Sequence, residues 1–143
     1  MPISQRFISE GKGVVFELQG VITSEEFFDT FVSYFNAPDD IFLPLRFSLT
    51  DLTDVESVEL SNQDIADLGL VARESYQRNP DSVVAFAAPS DLTYGLAKVW
   101  SAWLGPQSWT SNLLRDRASA ERWLRTTVSE RFGLHHIEFD DRD

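Results

Sequence analysis

Four carboxylates, Asp51, Asp54, Glu56 and Glu59, lead directly to Ser61, Asn62 and Asp64. Residues of these types in this order support three kinds of chemistry. Clustered carboxylate oxygens can hold a hard divalent cation. A serine at a helix start can carry a phosphate, which meets backbone N–H donors and the positive end of the helix dipole there. The same serine can instead only cap the helix, with Asp64 three residues on completing a capping box. The acids do not follow EF-hand spacing, and no glycine supplies that loop's sharp turn, so no metal is expected. The same acids repel a dianion at Ser61. A solvated acidic loop followed by a capped helix accounts for the stretch, with a regulated phosphosite as the alternative. Asp51 is the acid of most interest, because open α/β sheets place ligands at the carboxyl ends of their strands.

Other reactive groups are scarce. The chain has no cysteine, which excludes disulfides, thiolate zinc sites and thiol catalysis. His135 and His136 are adjacent, so they do not share one face of a helix or strand, and no third ligand accompanies them. No G-x-S-x-G elbow and no Gly-rich phosphate-binding fingerprint occurs. These readings predict no enzyme active site and no cofactor.

Aromatic residues form the second group of interest: 11 Phe, 4 Trp and 3 Tyr in 143 residues. Phe27, Phe28, Phe31, Tyr34 and Phe35 crowd one segment, and Tyr94, Trp100, Trp103 and Trp109 another. Rings at helical spacing usually fill a core or an interface between copies. Rings in excess of the core can line a pocket for an apolar small molecule such as a lipid or fatty acid. The pocket candidates are Phe27, Phe28, Phe31, Phe35, Tyr94, Trp100, Trp103 and Trp109.

The formal net charge is −11, which repels phosphate backbones and anionic membrane surfaces. Nucleic acid is therefore excluded as a general partner. Residues 1–114 carry 16 acids against 6 bases, whereas Arg115, Arg117, Arg122, Arg125 and Arg131 fall in one C-terminal segment. Those arginines read as a solvated face paired to Glu121 and Glu130, with an anionic partner as the alternative. The N-terminus lacks the apolar region of a signal peptide, and no apolar run nears the roughly 18 residues of a membrane span. A cytoplasmic protein is expected.

Local patterns place these groups on elements. Ile3–Ser9 and Val14–Gln19 read as strands joined by a turn at Gly11-Lys12-Gly13. In the second strand Val14, Phe16 and Leu18 share one face, with Val15, Glu17 and Gln19 on the other. Thr23 and Glu26 form a capping box for a helix that ends near residues 36–40. Leu45–Leu49 is the third strand, and the acidic connection follows. A helix over Ser61–Arg78 turns Ile65, Leu68, Ala72 and Tyr76 inward. Ser82–Ala87 reads as a strand covered on both faces. The next helix, opened by Pro89-Ser90-Asp91, presents Leu92, Leu96, Val99, Trp100 and Trp103, and Gly105-Pro106 breaks it. Ser108–Leu114 is the last strand. Asp116 caps a final helix over Arg117–Arg131, packed through Ala120, Trp123, Leu124 and Val128, and Gly133 ends it. The order β-β-α-β-α-β-α-β-α predicts a single α/β domain over residues 1–132. Its sheet is mainly parallel, with an antiparallel N-terminal edge strand, and about four helices flank it. Residues 133–143 read as a loosely held acidic tail in which Ile137 and Phe139 can dock.

This element order resembles the SpoIIAA-like family of the STAS superfamily, whose founding members are anti-sigma-factor antagonists. VVFELQGVITSEEF resembles the family's opening strand, turn and first helix. VVAFAAPSDLTYGLAKVW resembles its central strand and following helix, and LLRDRASAERWL its closing helix. The resemblance implies a non-enzymatic regulatory or protein-binding module acting near the N-terminus of the second helix, with another protein or a second copy as partner. Relatives in the fold group that look like lipid carriers imply the alternative, a carrier or sensor of a small apolar ligand. In the better-known antagonists a serine within Asp-Ser-Ser-Gly starts that helix and is phosphorylated. Ser61 occupies the corresponding place, but its neighbours Leu60 and Asn62 depart from that motif, and Ser57 is a poorer positional match. The partner and switch candidates are Asp51, Ser57, Glu59, Ser61 and Asn62.

Overall fold

The chain reverses first at Gly11, whose φ of +82° suits a residue without a Cβ. This turn joins strand β1 (Ile3–Ile8) to β2 (Gly13–Thr23) as an antiparallel pair. The computed structural model describes residues 2–104 and 109–140, excluding the side chains of Trp103 and Leu104. The remaining elements are α1 (Ser24–Phe35), α2 (Asp39–Phe42), β3 (Phe47–Glu59), α3 (Asn62–Arg78), β4 (Val83–Ala87), α4 (Asp91–Leu104), β5 (Thr110–Leu114) and α5 (Arg117–Phe132). The single α/β domain has the expected mixed sheet, with a fifth helix, the one-turn α2, where only a helix end is expected.

The five strands lie side by side in chain order, and every pair after β1–β2 is parallel. That order determines the layers. Each parallel connection crosses over in the right-handed sense, and strands added in one direction send every crossover to the same face. Val14, Phe16, Leu18 and Ile22 meet Phe31 and Phe35 of α1, Phe42 of α2 and Leu68 and Ala72 of α3 on that face. Val15, Phe47, Leu49 and Ala85 face the other way, onto Ala120, Leu124 and Val128 of α5. The period-two alternation of β2 thus sorts its side chains into two cores, as the sequence predicts.

The acidic segment corrects the sequence reading. It is not a loop: β3 continues to Glu59 and pairs with β2 as far as Thr23. Two register shifts, between Glu17 and Gln19 and between Gly20 and Val21 of β2, each leave an extra residue on β3. These bulges re-aim the strand. They bring Leu52, Val55 and Val58, spaced by three, onto the core face, while Thr53, Asp54, Glu56 and Glu59 stay exposed. A strand with its alternation broken twice carries no period-two signal, so its sequence reads as a loop.

Two other expectations change. Helix α4 is rotated from its expected phase: Leu92 and Val99 are exposed, and Thr93 and Ala97 are buried. Ser90 and Thr93 share a hydroxyl hydrogen bond of 2.8 Å at the helix start, which satisfies the buried threonine. The C-terminal tail is not loose at its apolar positions. Ile137 and Phe139 are 3% and 2% exposed among Ile8, Val15 and Phe47, and Arg6 donates to the Phe139 carbonyl.

Candidate functional site

At the far end of the β2–β3 ribbon Thr23 is paired with Glu59, so the starts of α1 and α3 lie next to each other. Both are capped. The Thr23 hydroxyl accepts from Glu26 N, and Glu26 returns a bond to Thr23 N. Ser61 Oγ accepts from Asp64 N at 3.0 Å, and Asp64 Oδ2 accepts from Ser61 N at 2.9 Å. Ser61, Asn62 and Glu59 are exposed, and Ser57 is half-buried opposite Val21. The Ser61 hydroxyl therefore combines a cap role with solvent access. Ser61→Asp retains a cap acceptor and is expected to keep the fold within about 0.5 kcal/mol, whereas Ser61→Ala costs about 1 kcal/mol. Urea unfolding of both variants checks this, and an equal loss in both would show that the cap geometry is not what holds α3.

Asp51 lies apart from this end. Its Oδ1 accepts from Thr53 N at 2.9 Å, bracing the first bulge, and its Oδ2 accepts from Arg117 at 3.0 Å. Ala87, the last residue of β4, pairs with Asp51, so Asp51 marks the end of the five-strand part of the sheet. Both of its oxygens are engaged inside the protein, which corrects its reading as an acid open to a ligand. The acids of β3 diverge accordingly, and no cluster of three metal-ligating side chains occurs among the described residues.

Arg117 is the residue that sequence reasoning misplaced. It is not part of a solvated face. Its guanidinium bonds Glu17 at 2.7 Å, Asp51 at 3.0 Å, Glu121 at 2.8 Å and Asp140 at 3.0 Å, joining β2, β3, α5 and the tail. Burial works against its charge, but hydrogen bonds to Glu121, Glu17 and Asp51 outweigh that, and the guanidinium stays protonated at any accessible pH. At Glu17 burial opposes ionisation, yet hydrogen bonds from Arg117 and Arg6 hold the carboxyl below its ordinary range. The signal available in sequence was the spacing of Arg117 and Glu121, one helical turn apart. The long-range acids could not be read from it. Arg125 lies over the Phe139 ring and Arg131 donates to Thr110, so these too are tied to the protein. No ion pair joins Glu130 to an arginine among the described residues.

The aromatic groups converge between α1, α3, α4 and the sheet. A cavity of about 90 Å³ lies there. Phe27, Phe31, Phe35, Trp100 and Trp109 line it, together with Tyr34, Phe42 and Phe86, which were not among the pocket candidates. The Phe35 ring is near-parallel to Trp109, 7° and 5.7 Å away, and to Trp100, 18° and 6.4 Å away. Trp109 donates to the Asn79 carbonyl at 2.7 Å, so its ring is held in place. Burial pushes the Tyr34 phenol well above its usual value. Two candidates fall outside the cavity. Phe28 packs on the edge of the core, and Tyr94 carries the Arg115 guanidinium 3.9 Å from its ring centre. The Trp103 side chain lies outside the described residues.

No family model matches the chain, and no curated protein does either. Solved structures do match. The anti-sigma factor antagonist SpoIIAA in its unphosphorylated form is similar at a TM-score of 0.56 and 12% identity, over 87% of this chain and 97% of that one. A protein of the DUF3478 family from Shewanella loihica PV-4, described as having a SpoIIAA-like fold, is similar at a TM-score of 0.52 and 19% identity. That match covers 85% of this chain and 91% of the other. With the strand order and layering above, these likenesses show that the chain has a SpoIIAA-like α/β fold.

Proposed function

We propose that the chain is a regulatory protein-binding module. It acts through the outer part of β3 and the adjoining N-terminus of α3, and it takes a basic, extended segment of its partner. The observation that carries this reading is the free strand edge. Strand β4 ends opposite Asp51, so from Leu52 to Glu59 β3 has β2 on one side and no strand on the other among the described residues. Such an edge offers backbone donors and acceptors to an added strand. Asp54, Glu56 and Glu59 are exposed along it, and Asp64 follows at the start of α3, so the edge favours lysine and arginine in the incoming strand. The likeness to an anti-sigma factor antagonist supports the same class of function. Ser61 adjoins this edge, and a phosphate there adds negative charge beside the partner's strand.

A decapeptide of alternating lysine and valine tests the surface. It is expected to protect amides within residues 52–59 from hydrogen exchange, with affinity falling as salt rises. The variant Asp54→Lys/Glu56→Lys/Glu59→Lys is expected to reduce binding at least tenfold while its unfolding midpoint stays within a few degrees, because all three side chains are exposed. Protection elsewhere on the chain, or unchanged binding by the triple variant, discards this surface.

A further inference from the structure

We propose that the cavity beneath α1 and α4 is a binding site for a small neutral molecule bearing one hydroxyl or carbonyl group, of the size of a short-chain alcohol. The inference is independent of the strand edge. It rests on what lies on the cavity floor. Ser48, Thr50 and Ser82 all line the cavity and are 6%, 7% and 7% exposed. None of their hydroxyls makes a side-chain hydrogen bond to a described residue, and all three open onto the cavity; Ser101 Oγ is the one described side-chain atom that is both sealed from solvent and without a partner. Ser48 and Thr50 alternate with Phe47 and Leu49 on β3, so they are the positions that face this core. Alanine and valine would fill them without a polar group left over. Hydroxyls facing an apolar cavity are normally hydrogen-bonded, so three that open onto one cavity without a protein partner mark a place where another molecule supplies the bond.

The walls define the rest of that molecule. Phe31, Phe35 and Trp100 roof the floor with rings, which suits a short apolar body. Among the described residues no charged side chain lines the cavity, so none of them balances a carboxylate or an ammonium group there. The volume sets the size. A water occupies about 30 Å³ of liquid, so about 90 Å³ accepts a handful of heavy atoms. A whole fatty acid needs a pocket of roughly 300 Å³ or more. The lipid-carrier alternative thus shrinks to a ligand of short chain.

The test uses the full chain, 15N-labelled, with isobutanol and with xenon as a purely apolar probe. Isobutanol is expected to shift the amides of Ser48, Thr50 and Ser82 saturably. Thr50→Val keeps the shape of the floor and removes a hydroxyl, so it is expected to weaken isobutanol at least fivefold and leave xenon binding unchanged. Ala97→Leu fills the cavity from α4 and is expected to abolish both. Non-saturating shifts with isobutanol, the behaviour of a cavity that holds only water, overturn the proposal. So does a Thr50→Val variant that binds isobutanol as the natural chain does. The Thr50→Val arm stands by itself if Ala97→Leu does not fold.

Discussion

Arg117→Met is expected to lower stability at pH 7 by about 3 kcal/mol, or roughly 10 °C in the unfolding midpoint. The methionine keeps much of the packing of the arginine stem but removes the cation. Glu17, Asp51, Glu121 and Asp140 are then left facing one another around an empty centre. Arg6 still reaches Glu17 at 3.0 Å and Asp140 at 3.8 Å, which offsets part of the loss. Asp51 fares worst, since its side chain is only 13% exposed and Arg117 is its one ion-pair partner among the described residues. The pH dependence separates this account from simple packing loss. In the natural chain the Glu17 carboxyl is depressed on folding, so its contribution is present above its ordinary pKa near 4.5 and fades as pH falls through the lower folded value. In the variant Glu17 loses the Arg117 hydrogen bond that holds its carboxyl down, so it takes up a proton more readily than in the natural chain. The stability gap between the two proteins is therefore expected to narrow from pH 7 to pH 4. Urea unfolding at both pH values measures it, and a gap that is small at pH 7, or constant with pH, contradicts a charge hub.

The second large effect is expected at Gly13. A Cβ built there falls on the ring of Phe47, and Phe47 itself is fully buried. That ring meets Phe139 edge-on at 6.0 Å, so it has no free direction in which to yield. Gly13→Ala is expected to cost about 3 kcal/mol, at the upper end of overpacking penalties. Phe47→Leu alone also destabilises, by opening space beside Phe139. Combined with Gly13→Ala, however, it is expected to cost clearly less than the two single losses added together, because the smaller side chain clears the new methyl. A double-mutant cycle by chemical denaturation reads this coupling. Strictly additive losses would show that Gly13 is required for the turn before it, not for the close approach of β2 to β3.

These two residues mark the limit of what could be read without the fold. Gly13 looks in sequence like part of the turn with Gly11. The ring that makes it indispensable lies 34 residues on and arrives beside it only through the pairing of Gly13 with Phe47. Arg117 looks like one of several solvated arginines. Three of its four carboxylates come from β2, β3 and the tail, distant in the chain. Local signals were sufficient where the physics is local. The capping boxes at Thr23 and Ser61 involve residues three apart, and both are present as expected. The Gly133 cap of α5, in the left-handed region at φ +68°, is local too.

The aromatic site was half legible. Phe31 and Phe35 recur at helical spacing and do face the core, and Trp100 and Trp109 join them. The hydroxyls of Ser48, Thr50 and Ser82 carried no such signal, because a serine within an apolar run gives no indication of what stands opposite it. The phase of α4 was misread for a related reason. Leu92 and Val99 are apolar yet exposed, and Thr93 is polar yet buried through its bond to Ser90, so hydrophobicity alone points the helix the wrong way.

By itself the sequence determined the types and order of the elements other than α2 and the outer part of β3, together with the caps and the two-faced pattern of β2, since each depends on neighbours within a few residues. It also determined the formal net charge of −11. Only the tertiary structure decided the strand order, and with it which helices share a face and where the cavity forms. It alone extended β3 through the acidic segment, because bulges are stabilised by pairing with β2 and by the Asp51–Arg117 contact, neither of which is local. The acids before Ser61 are consequently the exposed side of a strand edge. Contacts of that kind depend on strands meeting across the sheet, and separation along the chain holds no record of them.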